Sequence, residues 1–201
     1  MATGKYYVQC PSVLQVKLTG RKAPWVSAKD VILKILQELS VKGGVNKIVE
    51  YTGEGLSDLS LTDRATICNM GAELGATTSV FPTDENALAY LKQQGREDEY
   101  VEMKADDDAT YDETIEIDMS TLVPMVAQPH SPDNVVDVKE LEGMKINQVV
   151  IGSCTNSSLP DMMRAAKILK GRKVAEDVSL VIAPGSSSIL SMLAQNVLLQ
   201  I

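Results

Sequence analysis

The side chains best equipped for chemistry gather around one cysteine. In Val149-Val-Ile-Gly-Ser-Cys-Thr-Asn-Ser-Ser158, three β-branched residues run into a glycine and then into Cys154, set among small polar side chains. Ser158, Pro160 and Asp161 follow and open the amphipathic run Met162 to Leu169. This order reads as a buried strand, a tight turn and a helix start. Ser158 is an N-cap residue type with an acid three positions on, and Pro160 falls in the first turn, where its missing N–H costs little. The turn therefore displays Cys154 at the carboxyl end of a strand, near backbone N–H groups with no helical partner. In an open α/β sheet ligands bind at that edge, and a helix N-terminus favours a thiolate or a bound anion there.

A second group lies on a helical run. Asn69 and Glu73 are four residues apart and share a helix face, while Ile67, Cys68, Met70 and Ala72 around them are mostly apolar. The pattern predicts a well-buried helix, and a carboxylate kept in such surroundings has a partner or a task. The other candidates are weaker. Gly185-Ser-Ser-Ser188 opens a helix after a strand but has no lysine, so it reads as helix capping rather than a phosphate loop. His130, the only histidine, lies between Pro129 and Ser131 in a connecting stretch and reads as structural. Asp106-Asp-Asp108 with Asp112 and Glu113 reads as a solvated acidic loop.

Two strings carry a resemblance. Gly152-Ser-Cys-Thr-Asn-Ser-Ser158 is similar to the cluster-ligand motif of the aconitase family of iron–sulfur hydro-lyases. Ala65-Thr-Ile-Cys-Asn-Met-Gly-Ala-Glu-Leu-Gly-Ala-Thr-Thr-Ser-Val-Phe-Pro82 resembles the same family, in the right order, and the similarity runs from about Cys10 to the end of the chain. The resemblance implies a three-layer α/β/α fold with mainly parallel sheets and two similar subdomains. It implies a [4Fe–4S] cluster held by three cysteines, with Cys154 matching the first. The other two form a Cys-x-x-Cys pair in family members, and this chain has none. Cys10 and Cys68 have no counterpart among the family's ligands, so the chain alone is expected to lack a stoichiometric cluster.

The resemblance also assigns roles. Glu73 would hydrogen-bond the water or hydroxyl at the open iron, and Asn69 would support the cluster. Thr155, Asn156 and Ser157 would add hydrogen bonds around it. The implied activity is aconitate hydratase, interconverting citrate and isocitrate through cis-aconitate, as in the tricarboxylic acid cycle. Alternatives are a homoaconitase or 3-isopropylmalate dehydratase large subunit, or a non-catalytic stand-alone domain. Ser157-Ser158 and Ala76-Thr-Thr-Ser-Val-Phe-Pro82 look like aconitase itself, and this favours the first reading. The base serine and the carboxylate-binding arginines of the family have no counterpart here, so Arg64, Arg164 and Arg172 are not nominated.

Composition sets the bounds. The chain has 201 residues, 44% apolar but only 4% aromatic, so its core is mainly aliphatic. With a formal net charge of −8 and no basic stripe it is a poor partner for nucleic acid. No apolar stretch reaches membrane-spanning length, and Met-Ala-Thr-Gly-Lys is no signal peptide. Three cysteines, an odd number, fit a reducing, cytoplasmic setting.

The elements that must position these groups follow from periodicity. Leu14, Val16 and Leu18 alternate with Gln15 and Lys17, a half-buried strand. Ser27 with Asp30 opens a helix whose stripe is Val31, Ile32, Ile35, Leu36 and Leu39, and Gly43-Gly44 closes it. Then come a strand over 47–51, a helix over 60–75, a short strand over 77–81 and a helix capped by Thr83. A strand over 146–152, a helix over 159–170, a strand over 178–183 and a helix over 186–200 form a βαβα unit with a parallel sheet. Glu113 to Met119 alternates as a strand does, and we expect a first subdomain over 1–112, a connecting segment over 113–145 and a second subdomain over 146–201. Its final helix still reads apolar at Leu198-Leu-Gln-Ile201, as if cut inside a domain.

Overall fold

Strand β1 (Ser12–Thr19) realises the alternation written in its sequence: Leu14, Val16 and Leu18 are fully buried, and the residues between them are half-buried. The structure, a computed structural model, describes residues 3–4, 6–7 and 9–195. β2 (Lys47–Thr52), β3 (Thr78–Val80) and β4 (Glu113–Asp118) join β1 in a parallel sheet of order β3-β2-β1-β4. The inward residues of β1 and β2 meet Val31, Ile32, Ile35 and Leu36 of α1 (Ala28–Leu39) and Ile67 of α2 (Leu61–Met70) in one aliphatic core. Each such side chain, taken wholly out of water, contributes about 1.5–3 kcal/mol. The alternate residues form a polar ladder instead. Gln15 donates to Thr52 and accepts from Thr114, both at 3.0 Å, and Lys17 pairs with Glu116 at 3.3 Å.

Local signals place the helices. Asp30 accepts from the Ser27 backbone N–H at 2.6 Å, closing the expected capping box, and its other oxygen accepts from the Met125 backbone N–H at 2.7 Å. Two boundaries differ from expectation. α1 stops at Leu39 on Ser40, whose N–H bonds Leu36 O at 2.8 Å, before the glycine pair is reached. α3 (Glu85–Gln93) is capped by Asp84 rather than Thr83, because the Thr83 hydroxyl is engaged by the Val101 carbonyl and the Met103 backbone N–H.

Arg64 is a structural clamp, 2% exposed. Its guanidinium donates to Pro82 O at 3.2 Å, to Leu56 O at 3.0 Å and to the Asp84 carboxylate. It also lies 5.7 Å from the centre of the Phe81 ring, which stacks on Tyr51 at 4.3 Å. Burial pushes the Asp84 carboxyl up, but Arg64 and the backbone N–H groups of Ala87 and Asn86 outweigh it and hold it below the usual range. A depressed carboxyl stabilises the fold above the ordinary aspartate pKa, and that stability is lost as pH falls through the lowered value. Asp84→Asn leaves Arg64 buried without its counter-charge. At pH 7 it should cost about 2 kcal/mol, less than for a fully buried pair because Asp84 is partly solvated. The urea midpoint should drop at pH 7, and the gap from the parent should narrow in acid. Equal midpoints at pH 7 would discard the clamp.

The segment expected as a connector carries structure of its own. β4 lies beside β1, and β5 (Met125–Ala127) and β6 (Val135–Asp137) form an antiparallel pair against α1. The first unit accordingly runs Met1–Glu140 and the second Leu141–Ile201. In the second, β7 (Gln148–Ile151) and β8 (Ser179–Ile182) pair in parallel, with α4 (Leu159–Leu169) between them in sequence and α5 (Ser187–Gln195) after β8. The fold is α/β with parallel sheets. The expected helix end beyond Gln195 lies outside the described residues. No helix among the described residues is long and apolar enough to cross a membrane.

Candidate active site

The first half of the site grows from the end of α2. Ser60 and Asp63 open this helix with a reciprocal cap: Asp63 N–H bonds the Ser60 hydroxyl at 3.2 Å, and the Asp63 carboxylate accepts from Ser60 N–H at 3.0 Å. The helix stops at Met70, where a longer one over 60–75 was expected. Gly71 caps the end, its N–H bonding Ile67 O and Cys68 O at 3.1 Å, and a side chain there would overlap the Ser79 hydroxyl. The chain then folds into a turn. Leu74 N–H bonds Gly71 O at 3.2 Å, Gly75 takes φ +73°, and Gly44 N–H reaches Leu74 O at 2.9 Å. Ile67, Met70 and Leu74 take the buried side, which leaves Asn69 and Glu73 exposed together on the outside. The expectation of a buried carboxylate is corrected: the apolar neighbours claim the core, and Glu73 faces solvent.

This turn also lies at an unusual edge. β2 and β3 run parallel, so α2 must run back between them, and its carboxyl end arrives where the strands begin. Thr77 N–H bonding Lys47 O at 2.8 Å and the Val45–Ala76 bridge fix it there.

The second half is the turn around Cys154. Gly152 leaves β7, Ser153 follows with φ +73°, and Cys154 is exposed. A non-glycine residue held in that region signals strain, which gathers at functional sites. The Ser153 hydroxyl accepts from Thr155 N–H at 3.3 Å, and the Ser157 hydroxyl donates back to the Ser153 carbonyl. Thr155 and Asn156 are half-buried beside Cys154, and Ser158 caps α4, accepting from Asp161 N–H at 3.4 Å. The Cys154 thiol thus stands on a short, internally bonded turn at a helix N-terminus, as the sequence foretold. The matching serine at the start of α5 is a cap too, with Ser186 accepting from Ile189 N–H at 3.2 Å.

Cys154 fits one thiolate of a cluster, being exposed, turn-borne and next to backbone donors. Cys68 does not fit. It is half-buried in α2, donates to Ser79 O at 3.7 Å, and burial pushes its thiol up to about 11, so at neutral pH it stays protonated. Among the described residues no group of three or more His, Cys, Asp or Glu could hold a metal ion. Asp112 of the acidic patch is spent on Val13 N–H at 2.7 Å. Asn69 and Glu73 belong to the first unit and Cys154, Thr155 and Asn156 to the second.

Comparison with known proteins agrees on the family. The aconitase family (aconitate hydratase) matches residues 1–143 and 139–201. A 3-isopropylmalate dehydratase large subunit from Clostridium kluyveri is 44% identical over 201 residues, covering 100% of this chain and 48% of the relative. A 3-isopropylmalate dehydratase large subunit 2 from Archaeoglobus fulgidus is 45% identical over 186 residues, 92% of this chain and 45% of the relative. One from Caldicellulosiruptor saccharolyticus is 45% identical over 202 residues, with 100% and 47% covered. The chain spans about half the length of the curated relatives it matches.

These relatives overturn the expected aconitate hydratase activity, its citrate and isocitrate substrates and its place in the tricarboxylic acid cycle. The structure gives the residues of those strings local roles. Ser157 is 3% exposed and bonded inside its turn, Ser158 is a helix cap, Thr78–Val80 is a sheet strand, and Phe81 stacks on Tyr51. In the two strings that favoured aconitase, these residues serve turns, caps and packing.

Proposed function

Because this chain belongs to the aconitase family, we propose that it forms part of the large subunit of a hydro-lyase of the 3-isopropylmalate dehydratase kind. Such an enzyme removes water from, and returns it to, a small hydroxy dicarboxylic acid. The observation that carries this reading is identity of 44–45% along essentially the whole chain to relatives of that name. A large subunit implies a smaller companion chain, and three thiols in so long a chain fit a reducing cytoplasm.

Cys154 would supply one thiolate to a [4Fe–4S] cluster. When bound, that group contributes a Lewis-acidic iron for the substrate's hydroxyl and carboxylate. The chain's own residues do the rest. The Cys154 turn fixes the thiolate on a rigid strand–helix junction, with Thr155 and Asn156 beside it. Glu73 would give a proton to the substrate hydroxyl as it leaves as water, and take one from the entering water on hydration. Asn69, on the same exposed surface as Glu73, donates its side-chain amide toward the site.

The test uses the complete large subunit with its small subunit, loaded anaerobically with iron and sulfide. Absorbance of the unsaturated product should give kcat/KM at least ~10-fold higher for 3-isopropylmalate than for citrate. The reverse order would refute the substrate assignment.

A further inference from the structure

We infer that Gly185 and Ser157 are positioning residues for Cys154: the turn that opens α5 clasps the turn that opens α4, and the clasp fixes where the thiol stands. The inference rests on the reading of Cys154 as a cluster thiolate. Three contacts tie the two turns. Ala183 N–H bonds Ile151 O at 2.8 Å, extending the β7–β8 ladder past the strand ends. Gly152 lies so close to the second turn that a side chain on it would stand 2.7 Å from Ala183 O. Gly185 N–H reaches Ser157 O at 3.4 Å, and a side chain on Gly185 would overlap the Ser157 hydroxyl.

Ser157 links that clasp to the cysteine. It is 3% exposed, and its hydroxyl donates to the Ser153 carbonyl, closing a loop around Cys154. Anything that displaces Ser157 from the α5 side must therefore move Ser153, and with it the next residue. Gly185 does not need glycine for its backbone, since its φ lies outside the left-handed region. Its missing side chain serves the fit against Ser157. A hydrogen-bonded support behind a ligand is worth about ten- to hundredfold in metal affinity when it is removed.

The experiment has two readouts. In the 201-residue chain, Cys10 is also exposed and serves as an internal reference. The rate of iodoacetamide labelling at Cys154 relative to Cys10, read by peptide mass, should rise about threefold in Gly185→Ala as the loosened turn opens locally. In the complete protein, iron and sulfide retained after gel filtration should fall by about tenfold. Ser157→Ala in the Gly185→Ala background removes the overlapped atom, so both readouts should return toward the values of Ser157→Ala alone. Gly185→Ala with an unchanged labelling ratio and full iron, while Cys154→Ser loses its iron, would overturn the inference. A double variant no better than Gly185→Ala, whether folded or not, would overturn it too. Full iron in Cys154→Ser would instead sink the cluster reading, and the labelling ratio would still decide the clasp.

Discussion

Cys154→Ser in the complete protein is expected to abolish cluster retention and with it all measurable turnover. A serine hydroxyl is not ionised at neutral pH and is a poor match for iron that soft thiolates hold. A cluster left with fewer thiolates is open to solvent and falls apart. Iron and sulfide analysis should find the variant near zero against about four irons in the parent, in a protein that still folds because Cys154 is exposed and packs against no core. The same count predicts that the 201-residue chain, reconstituted alone, holds no stoichiometric cluster, because it carries one matching thiolate and no Cys-x-x-Cys. A full complement of iron in the isolated chain would mean that Cys10 or Cys68 can take a place we deny them.

Glu73→Gln should separate chemistry from assembly. Glu73 is exposed, so the neutral isostere disturbs no packing, and the turn 71–75 keeps its backbone bonds. A glutamine can still accept a hydrogen bond but cannot take and return a proton. A lost acid–base group is worth about 10²–10⁴ in rate. The expected result is a kcat lowered by that factor, with KM and iron content near the parent's. A parallel loss of iron would make Glu73 a support of the cluster, and unaltered kcat would remove it from the reaction. Asn69 provides the contrast, since its replacement by Ala should cost less than Glu73→Gln because it transfers no proton.

What the residues disclosed in advance was short-range. The cap pairs Ser27 with Asp30 and Ser158 with Asp161 each span three positions, and each closes as written. The Cys154 turn is likewise a local product of a strand, a glycine and a capped helix. What stayed hidden depends on neighbours from elsewhere in the chain. The turn that follows α2 and leaves Glu73 exposed is tied down by Gly44 N–H bonding Leu74 O, about thirty residues away in the chain. Thr83 has a cap residue's chemistry but is drawn away by Val101 and Met103. The alternation of Glu113 to Met119 suggests a strand, but that it joins the first sheet is decided by its pairing with β1, about a hundred residues earlier. Substrate choice was least legible, because strings that look like aconitase stand in a chain whose relatives are named for another substrate.

The position of Asn69 and Glu73 at the edge where β2 and β3 begin divides labour within the first unit. The opposite edge, where most α/β proteins keep their ligands, carries the loops over 20–27 and 53–60 and the solvent-facing Trp25, and neither Asn69 nor Glu73 lies there. Under the proposed roles of Asn69 and Glu73, those loops are free to drift. Within such a lineage, insertions, altered lengths and changed charge should accumulate there, while the short turn from Gly71 to Gly75 keeps both its length and its sequence.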